Sequence, residues 1–228
     1  VIHVGERYCS LQRRHLNLVE ESPSPAVDED LRARMGASAV NLAKASGYRG
    51  AGTVEFLLDR EGNYYFIEMN TRIQVEHPVT EMVTGIDLVQ EQIRIASGVP
   101  LRYRQEDIKI NGHAMECRIN AEDPSRDFAP SPGKIVDFRA PGGMGVRLDS
   151  HVYSGYTVPS HYDSLLGKLI VHRDTREEAI LTMRRALDEF TIDGVHTTIP
   201  FYSEVLQHFH FVKGNHDTGF IEEYVIDA

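Results

Sequence analysis

The sequence predicts an α+β fold, and three observations predict it. Residues 28–46 have the composition and punctuation of a helix. Two short β-type runs, 52–58 and 64–70, are joined as a hairpin. Beyond residue 107, strand-like pieces broken by proline and glycine lead to a further helix.

Taken in order, Val1-Ile2-His3-Val4 alternates as a strand would, and Ser22-Pro23-Ser24-Pro25 reads as an extended connector. The helix that follows opens on the acidic turn Asp28-Glu29-Asp30, is rich in Ala, Leu, Arg and Met, and stops before Gly47. Asp59-Arg60-Glu61-Gly62-Asn63 is a polar, glycine-bearing turn between the two β runs. A second helix is expected to start near Pro78 or Asp87 and to end at Ser97-Gly98, with Pro100 beyond it. The texture changes near residue 107, which divides the chain into domains at 1–107 and 108–228. Strand-like pieces at 112–120, 134–139 and 145–148 are interrupted by Pro130-Ser131-Pro132-Gly133 and Pro141-Gly142-Gly143. A strong helix with Arg176-Glu177-Glu178 near its start runs to about Phe190. No internal repeat is visible.

Composition narrows the function classes. The chain has 228 residues, 41% hydrophobic and 25% charged, which suits ordinary globular cores. A formal net charge of -10 argues against a nucleic-acid or membrane-surface partner, while leaving room for a local basic pocket. No apolar run approaches the roughly 20 residues of a spanning helix. Cys9 and Cys117 make no disulfide framework and no CxxC spacing, so a reducing, cytoplasmic setting is expected. The opening at Val1, without a signal-like segment, reads as the middle of something longer.

The most informative chemistry lies in the hairpin. A two-residue turn at Glu61-Gly62 sets Glu55 directly opposite Glu68 and Leu57 opposite Phe66. Cβ atoms across such a pair are about 4.5–5.5 Å apart, and two like charges there are destabilising unless a cation lies between them. Asn70, two residues past Glu68, shares its face and supplies a third hard oxygen. Mg²⁺ or Mn²⁺ suits that set. The bland alternative is a solvated hairpin face. Beyond it, Arg72, Gln74 and Glu76 alternate with Ile73 and Val75, so an extended segment would point all three polar side chains one way. An arginine fork, an amide donor and a candidate base suit a small oxyanion, although a solvated edge strand reads similarly.

The run Phe66-Ile67-Glu68-Met69-Asn70-Thr71-Arg72-Ile73-Gln74-Val75-Glu76-His77-Pro78-Val79-Thr80-Glu81 resembles the signature of biotin carboxylases, members of the ATP-grasp class. The resemblance extends nearly end to end. It includes Cys9-Ser10-Leu11-Gln12-Arg13-Arg14-His15, Gly47-Tyr48-Arg49-Gly50-Ala51-Gly52-Thr53, Glu116-Cys117-Arg118-Ile119-Asn120-Ala121-Glu122-Asp123-Pro124 and Tyr162-Asp163-Ser164-Leu165-Leu166-Gly167-Lys168-Leu169. It implies the C-terminal part of an ATP-grasp fold over 1–107 and a biotin carboxylase C-terminal domain over 108–228. The implied reaction is ATP- and bicarbonate-dependent carboxylation of biotin on a carrier protein, the first half-reaction of acetyl-CoA carboxylase and related enzymes, with a place in fatty acid biosynthesis.

By the same resemblance, Glu55, Glu68 and Asn70 are metal ligands for Mg²⁺ or Mn²⁺. Arg72, Gln74 and the Val75 backbone N–H bind bicarbonate, and Glu76 is its base. Arg118 contacts bicarbonate and biotin. Gln12 and His15 contact ATP, as do Glu55 and Glu68 through the metal, and Leu57 is a wall against adenine. A biotin carboxyl carrier protein or domain, a carboxyltransferase and a second copy of the chain are the implied partners. The acceptor, whether acetyl-CoA, propionyl-CoA, pyruvate or another, is chosen by the transferase.

Two departures stand out. Asn17 occupies the place of a bicarbonate-contacting lysine, removing a positive charge from an anion site, and Tyr8 stands where an aspartate is common, with no physical account of its effect. The resemblance places the family's N-terminal domain, glycine-rich lid and phosphate-binding lysines upstream of Val1, so the chain alone is expected to be catalytically incompetent. Two other readings compete. Another ATP-grasp ligase, such as a carbamoyl-phosphate synthetase or a purine-pathway carboxylase, would share the paired acids but lack the Arg118 block and the 162–169 segment. A non-catalytic binding module would retain contacts without turnover.

Overall fold

The computed structural model describes residues 1–13 and 16–224. His15, expected to contact nucleotide, lies outside the described residues. By compactness the chain divides into two units, residues 1–8 with 22–111 and residues 9–21 with 112–228.

In the first unit, helix α1 (Glu29–Ala45) begins where Asp28 Oδ1 accepts the Leu31 N–H at 2.8 Å, which satisfies one of the orphan donors of the first turn. Gly47, at φ +65°, ends it as expected. Strands β3 (Thr53–Leu58) and β4 (Tyr64–Asn70) form an antiparallel hairpin. Its loop is five residues long rather than two. Asp59 organises it: its N–H donates to the Asn63 carbonyl at 2.9 Å, and its Oδ1 accepts the N–H groups of Glu61 and Asn63. The hydrogen bond from the Asn63 side-chain amide, with those from the backbone N–H groups of Asn63 and Glu61, holds the Asp59 carboxyl below the usual range against the opposing effect of desolvation.

The wider loop shifts the near end of the ladder by one residue, so Leu57 faces Tyr65 and not Phe66, which pairs with Phe56. The ladder slips again between Phe56 and Glu55, with Ile67 as the extra residue, and Glu55 meets Glu68 as expected. The 55–68 pairing is therefore right for a reason the two-residue turn did not contain.

The expected single helix after the hairpin is two. Helix α2 (His77–Thr84) has Pro78 in its first turn and ends on Gly85 at φ +70°, and helix α3 (Leu88–Ala96) restarts where Asp87 Oδ1 caps the Gln90 N–H at 2.7 Å. The alternation at Val1–Val4 produces no strand. The Gln105 side chain instead occupies both backbone groups of His3, accepting its N–H and donating to its carbonyl at 3.0 Å each. The segment after Ser22 is not fully extended either, since the Val27 N–H closes a turn onto the Ser24 carbonyl.

In the second unit, five strands form one sheet: β1 (Tyr8–Arg13), β2 (Leu16–Ser22), β5 (His113–Asn120), β6 (Val146–Ser150) and β7 (Leu165–Arg173), in the order β1-β2-β5-β7-β6. The expected strand at 134–139 is two short pieces, Gly133–Lys134 and Asp137–Arg139. Strand β5 begins after Gly112, whose φ is +67° and where an added Cβ would fall 2.2 Å from the Arg173 carbonyl oxygen, so only glycine fits.

Period-2 alternation divides the faces of β5 and β7. Met115, Cys117 and Ile119 pair with Val171, Leu169 and Gly167 on the core face, while Glu116 and Arg118 pair with Ile170 and Lys168 on the other. Helix α4 (Arg176–Glu189) is capped reciprocally by Thr175 and Glu178 and covers the core face with Ala179, Met183, Ala186 and Leu187. Helices α5 (Ile199–Val205), α6 (Phe209–Val212) and α7 (Phe220–Tyr224) close the core with Phe201, Tyr202, Phe211 and Phe220. Each fully buried Leu, Ile or Phe there contributes roughly 1.5–3 kcal/mol relative to exposure.

Below this core Glu21 is a buried hub. It accepts from His113 at 2.8 Å and from Arg176 at 2.7 Å, with His216 at 3.8 Å. Burial raises its pKa, but the hydrogen bonds from His113 and Arg176 outweigh that and leave it below the ordinary value. Burial also pushes the His216 imidazole down to about 4, so it is neutral near pH 7.

Candidate functional site

In the first unit, the two facing carboxylates converge on a single atom. Asn70 Nδ2 donates to Glu55 Oε1 at 2.7 Å and to Glu68 Oε1 at 3.0 Å. The amide thus offsets the repulsion that two opposed glutamates would otherwise feel. Its oxygen points the other way, accepting from Arg72 Nη2 at 3.1 Å. Asn70 was expected to offer its oxygen to a cation beside the carboxylates; turning the amide over would do that without moving the backbone, once the exposed Arg72 side chain swings off it, because a guanidinium cannot accept from the amide nitrogen.

Among the described residues no group of three or more His, Cys, Asp or Glu side chains could hold a metal. A cation at this hairpin would therefore rest on two carboxylates, one amide, and water or phosphate. That all-oxygen set fits Mg²⁺ or Mn²⁺.

The segment beyond Asn70 does not stay extended. It bends at Arg72 and turns at Val75-Glu76 into helix α2, so the expected single row of Arg72, Gln74 and Glu76 breaks up. Arg72 is exposed, with Nη1 on the Ile73 carbonyl at 3.2 Å, while Gln74 and Glu76 are buried. The helix supplies the reason. Its start pulls Glu76 into the cap position, where a carboxylate is favoured by the dipole, and the turn swings Gln74 inward. There its Nε2 donates to Glu55 Oε1 at 2.9 Å and its Oε1 accepts from Arg7 at 2.5 Å. Arg72, Asn70, Glu68, Glu55 and Gln74 are one connected network. Leu57 lies on the same hairpin and is 56% exposed, available to an apolar partner.

In the second unit, Arg118 projects from the polar face of β5. Its Nε and Nη2 donate to Oε1 of the fully buried Glu20 at 2.9 and 2.5 Å. The backbone beneath is pinned, because the Arg118 carbonyl accepts from the Tyr202 hydroxyl at 2.6 Å and the Thr198 hydroxyl at 3.1 Å. Burial pushes both the Tyr202 hydroxyl and the neighbouring Cys117 thiol well up, so neither offers an anion near neutral pH. Across the sheet face, Glu20, Arg118, Lys168 and Asp149 form a row of alternate pairs, with Lys168 directly opposite both Arg118 and Asp149. A cavity of about 570 Å³ beside this row is lined by Lys168, Asp149, Tyr156, Tyr162, Asp163 and Leu166. Gln12 is half-buried on β1.

Two residues escaped the reading of the sequence. Arg7 lies in no periodic segment, and only its partners reveal it. Glu20 could have been suspected, because Glu20-Glu21 follows Leu18-Val19 in a strand pattern where a carboxylate pair is out of place.

The geometry has close counterparts. Residues 116–223 match the biotin carboxylase C-terminal domain, and residues 1–104 match the ATP-binding domain of the carbamoyl-phosphate synthase L chain. Biotin carboxylase 1 of Bacillus subtilis is 59% identical over 224 residues, 98% of this chain and 50% of that protein. The chain belongs to the biotin carboxylase family. The chloroplastic biotin carboxylase of Arabidopsis thaliana is 58% identical over 224 residues, covering 98% of this chain and 42% of that one. The biotin carboxylase domain dimer of Hydrogenobacter thermophilus 2-oxoglutarate carboxylase, solved with MgADP, ADP and bicarbonate, superposes with a TM-score of 0.96 at 52% identity, covering 97% of this chain and 49% of that one.

This family member spans about half the length of the curated relatives it matches. The match over 116–223 contains the Arg118 block and the 162–169 segment, which another ATP-grasp ligase would lack, and so decides against that alternative. Among the described residues no helix is long and apolar enough to cross a membrane.

Proposed function

We propose that this chain forms the bicarbonate and biotin end of a biotin carboxylase that carboxylates carrier-linked biotin at the expense of ATP. The observation that carries the reading is the network around Glu55: two opposed carboxylates joined through Asn70, with Arg72 on the far side of that amide and Gln74 on the near side. The division of labour follows the family pattern, with residues 1–107 as the C-terminal part of the ATP-grasp domain and 108–228 as the biotin carboxylase C-terminal domain.

Glu55, Glu68 and Asn70 would hold Mg²⁺ or Mn²⁺, which when bound neutralises phosphate charge. Arg72 grips bicarbonate with its planar fork, and the Gln74 amide and Val75 N–H add donors. Glu76, at the start of α2, takes the bicarbonate proton as a bicarbonate oxygen attacks the γ-phosphorus. Carboxyphosphate forms, ADP leaves, and carboxyphosphate then releases CO₂ and phosphate. The released phosphate takes the proton of the biotin ring nitrogen, and Arg118, held on Glu20, stabilises the resulting enolate oxyanion while that nitrogen attacks CO₂. Gln12 and His15 contact the nucleotide, and the exposed Leu57 packs on adenine. A carrier protein or domain, a carboxyltransferase, a dimeric assembly and a cytoplasmic setting complete the proposal.

The test is ATP cleavage by the complete enzyme bearing this sequence. Dependence on bicarbonate and stimulation by free biotin are expected; ATP cleavage indifferent to both would overturn the reading.

A further inference from the structure

We propose that Arg7 is a positioning residue that decides which end of the Gln74 amide faces the anion site. The inference rests on the assignment of Gln74 to bicarbonate. Its grounds are geometric. The Arg7 guanidinium donates through Nη2 to Gln74 Oε1 at 2.5 Å and to Thr53 Oγ1 at 3.0 Å, and through Nη1 to Thr80 Oγ1 at 3.1 Å. Gln74 is only 9% exposed, and its other end donates to Glu55.

An amide's oxygen and nitrogen have nearly the same shape, so packing alone cannot orient it. Partners do. A guanidinium has five donors and no acceptor, so whatever faces Arg7 must be the oxygen. The nitrogen, with its two N–H donors, is then turned toward Glu55 and toward any anion beside it. Gln74 would lose that role if it flipped, because its oxygen would confront a carboxylate and an anion together.

Two groups now enforce the orientation, Glu55 and Arg7, and they are not equivalent. A carboxylate engaged with a cation has less to give an amide N–H, and a cation itself attracts amide oxygens. Arg7 alone then opposes the flip. It is suited to do so: Thr53 belongs to β3 and Thr80 to α2, so the guanidinium is anchored to two elements and cannot follow the amide. Arg7 thereby keeps Gln74 an anion donor rather than a cation ligand.

The complete enzyme tests this with Arg7→Met, Gln74→Met and the double variant, assayed for biotin-dependent ATP cleavage against bicarbonate concentration. Losing one charge-assisted hydrogen bond in a buried site predicts a bicarbonate KM raised about ten-fold by Arg7→Met. The KM for ATP stays the same and kcat moves less than the bicarbonate KM. In the Gln74→Met background Arg7→Met adds nothing to the bicarbonate KM, because it acts through the amide that is already gone. Arg7→Lys, which keeps a cationic donor but not the planar fork, recovers part of the effect, and Thr80→Val, which removes one anchor of the guanidinium, raises the bicarbonate KM less than Arg7→Met does. Thermal unfolding without ligand gives a second readout, in which Arg7→Met lowers Tm less in the Gln74→Met background than in the wild type. Equal KM increases in both backgrounds, or none in either, would overturn the role of Arg7. Wild-type ATP cleavage insensitive to bicarbonate would instead overturn the site assignment, and the inference with it.

Discussion

Glu55 and Glu68 stand directly opposite each other on adjacent strands, with Asn70 Nδ2 between their Oε1 atoms at 2.7 and 3.0 Å. The arrangement depends on a bulge at Ile67 that restores the register after a five-residue loop. The two like charges brought together by this bulge repel, a repulsion that the Asn70 amide offsets in part and that a cation held between them would relieve further.

Glu68→Gln should therefore raise stability without metal by about 0.5 kcal/mol, the scale of a like-charge cross-strand pair. It should also abolish the rise in Tm expected when Mn²⁺ binds the wild-type enzyme. Differential scanning calorimetry with and without the ion reads both effects; an unchanged Mn²⁺ response would remove Glu68 from the ligand set.

Arg118 and Glu20 form a pair in which one partner is fully buried. Arg118→Met should cost about 3 kcal/mol, because it strips the guanidinium from a carboxylate that cannot reach water. Adding Glu20→Gln should recover part of that loss in chemical denaturation, while leaving biotin-dependent turnover absent. Full additivity of the two changes would contradict the coupling.

Much of this was legible in the sequence, and the failures have physical causes. Helix α1 was readable because Asp28 and Gly47 are local signals that act over a single turn. The Glu55–Glu68 pairing was reached through the wrong turn, since Asp59 can close a five-residue loop with its own carboxylate and no period-2 pattern reports an inserted Ile67. The Arg72–Glu76 alternation misled because Pro78 and the α2 cap outweigh the local preference for extension, sending Arg72 to solvent and Gln74 inward. Arg7 stayed hidden because its role is defined by Thr53, Gln74 and Thr80, far away in the chain.

His216 gives stability a pH dependence. Its folded pKa of about 4 lies below the ordinary histidine value of 6.5, so between those values the unfolded chain binds the extra proton. The contribution is fully present above pH 6.5 and is lost as pH falls toward 4, amounting to on the order of 3 kcal/mol. Glu21, with its lowered pKa, adds loss in the same direction at lower pH. His216→Gln should flatten the stability profile between those limits, and a profile as steep as the wild type's would assign the titration elsewhere.

Asn17 lies on β2, where the family resemblance expects a lysine. If residue 17 borders the proposed bicarbonate site, Asn17→Lys should lower the bicarbonate KM several-fold, with a steeper dependence on ionic strength, because it would add a cation there. Steady-state kinetics at two salt concentrations measures it, and an unchanged KM would separate residue 17 from bicarbonate.

The most direct test of the account is anomalous diffraction from crystals of the complete enzyme grown with Mn²⁺ and ADP. The account predicts a manganese peak within bonding distance of both Glu55 and Glu68, with the Asn70 amide turned to present its oxygen. A peak elsewhere, with the Asn70 nitrogen still bridging the two carboxylates, would contradict it.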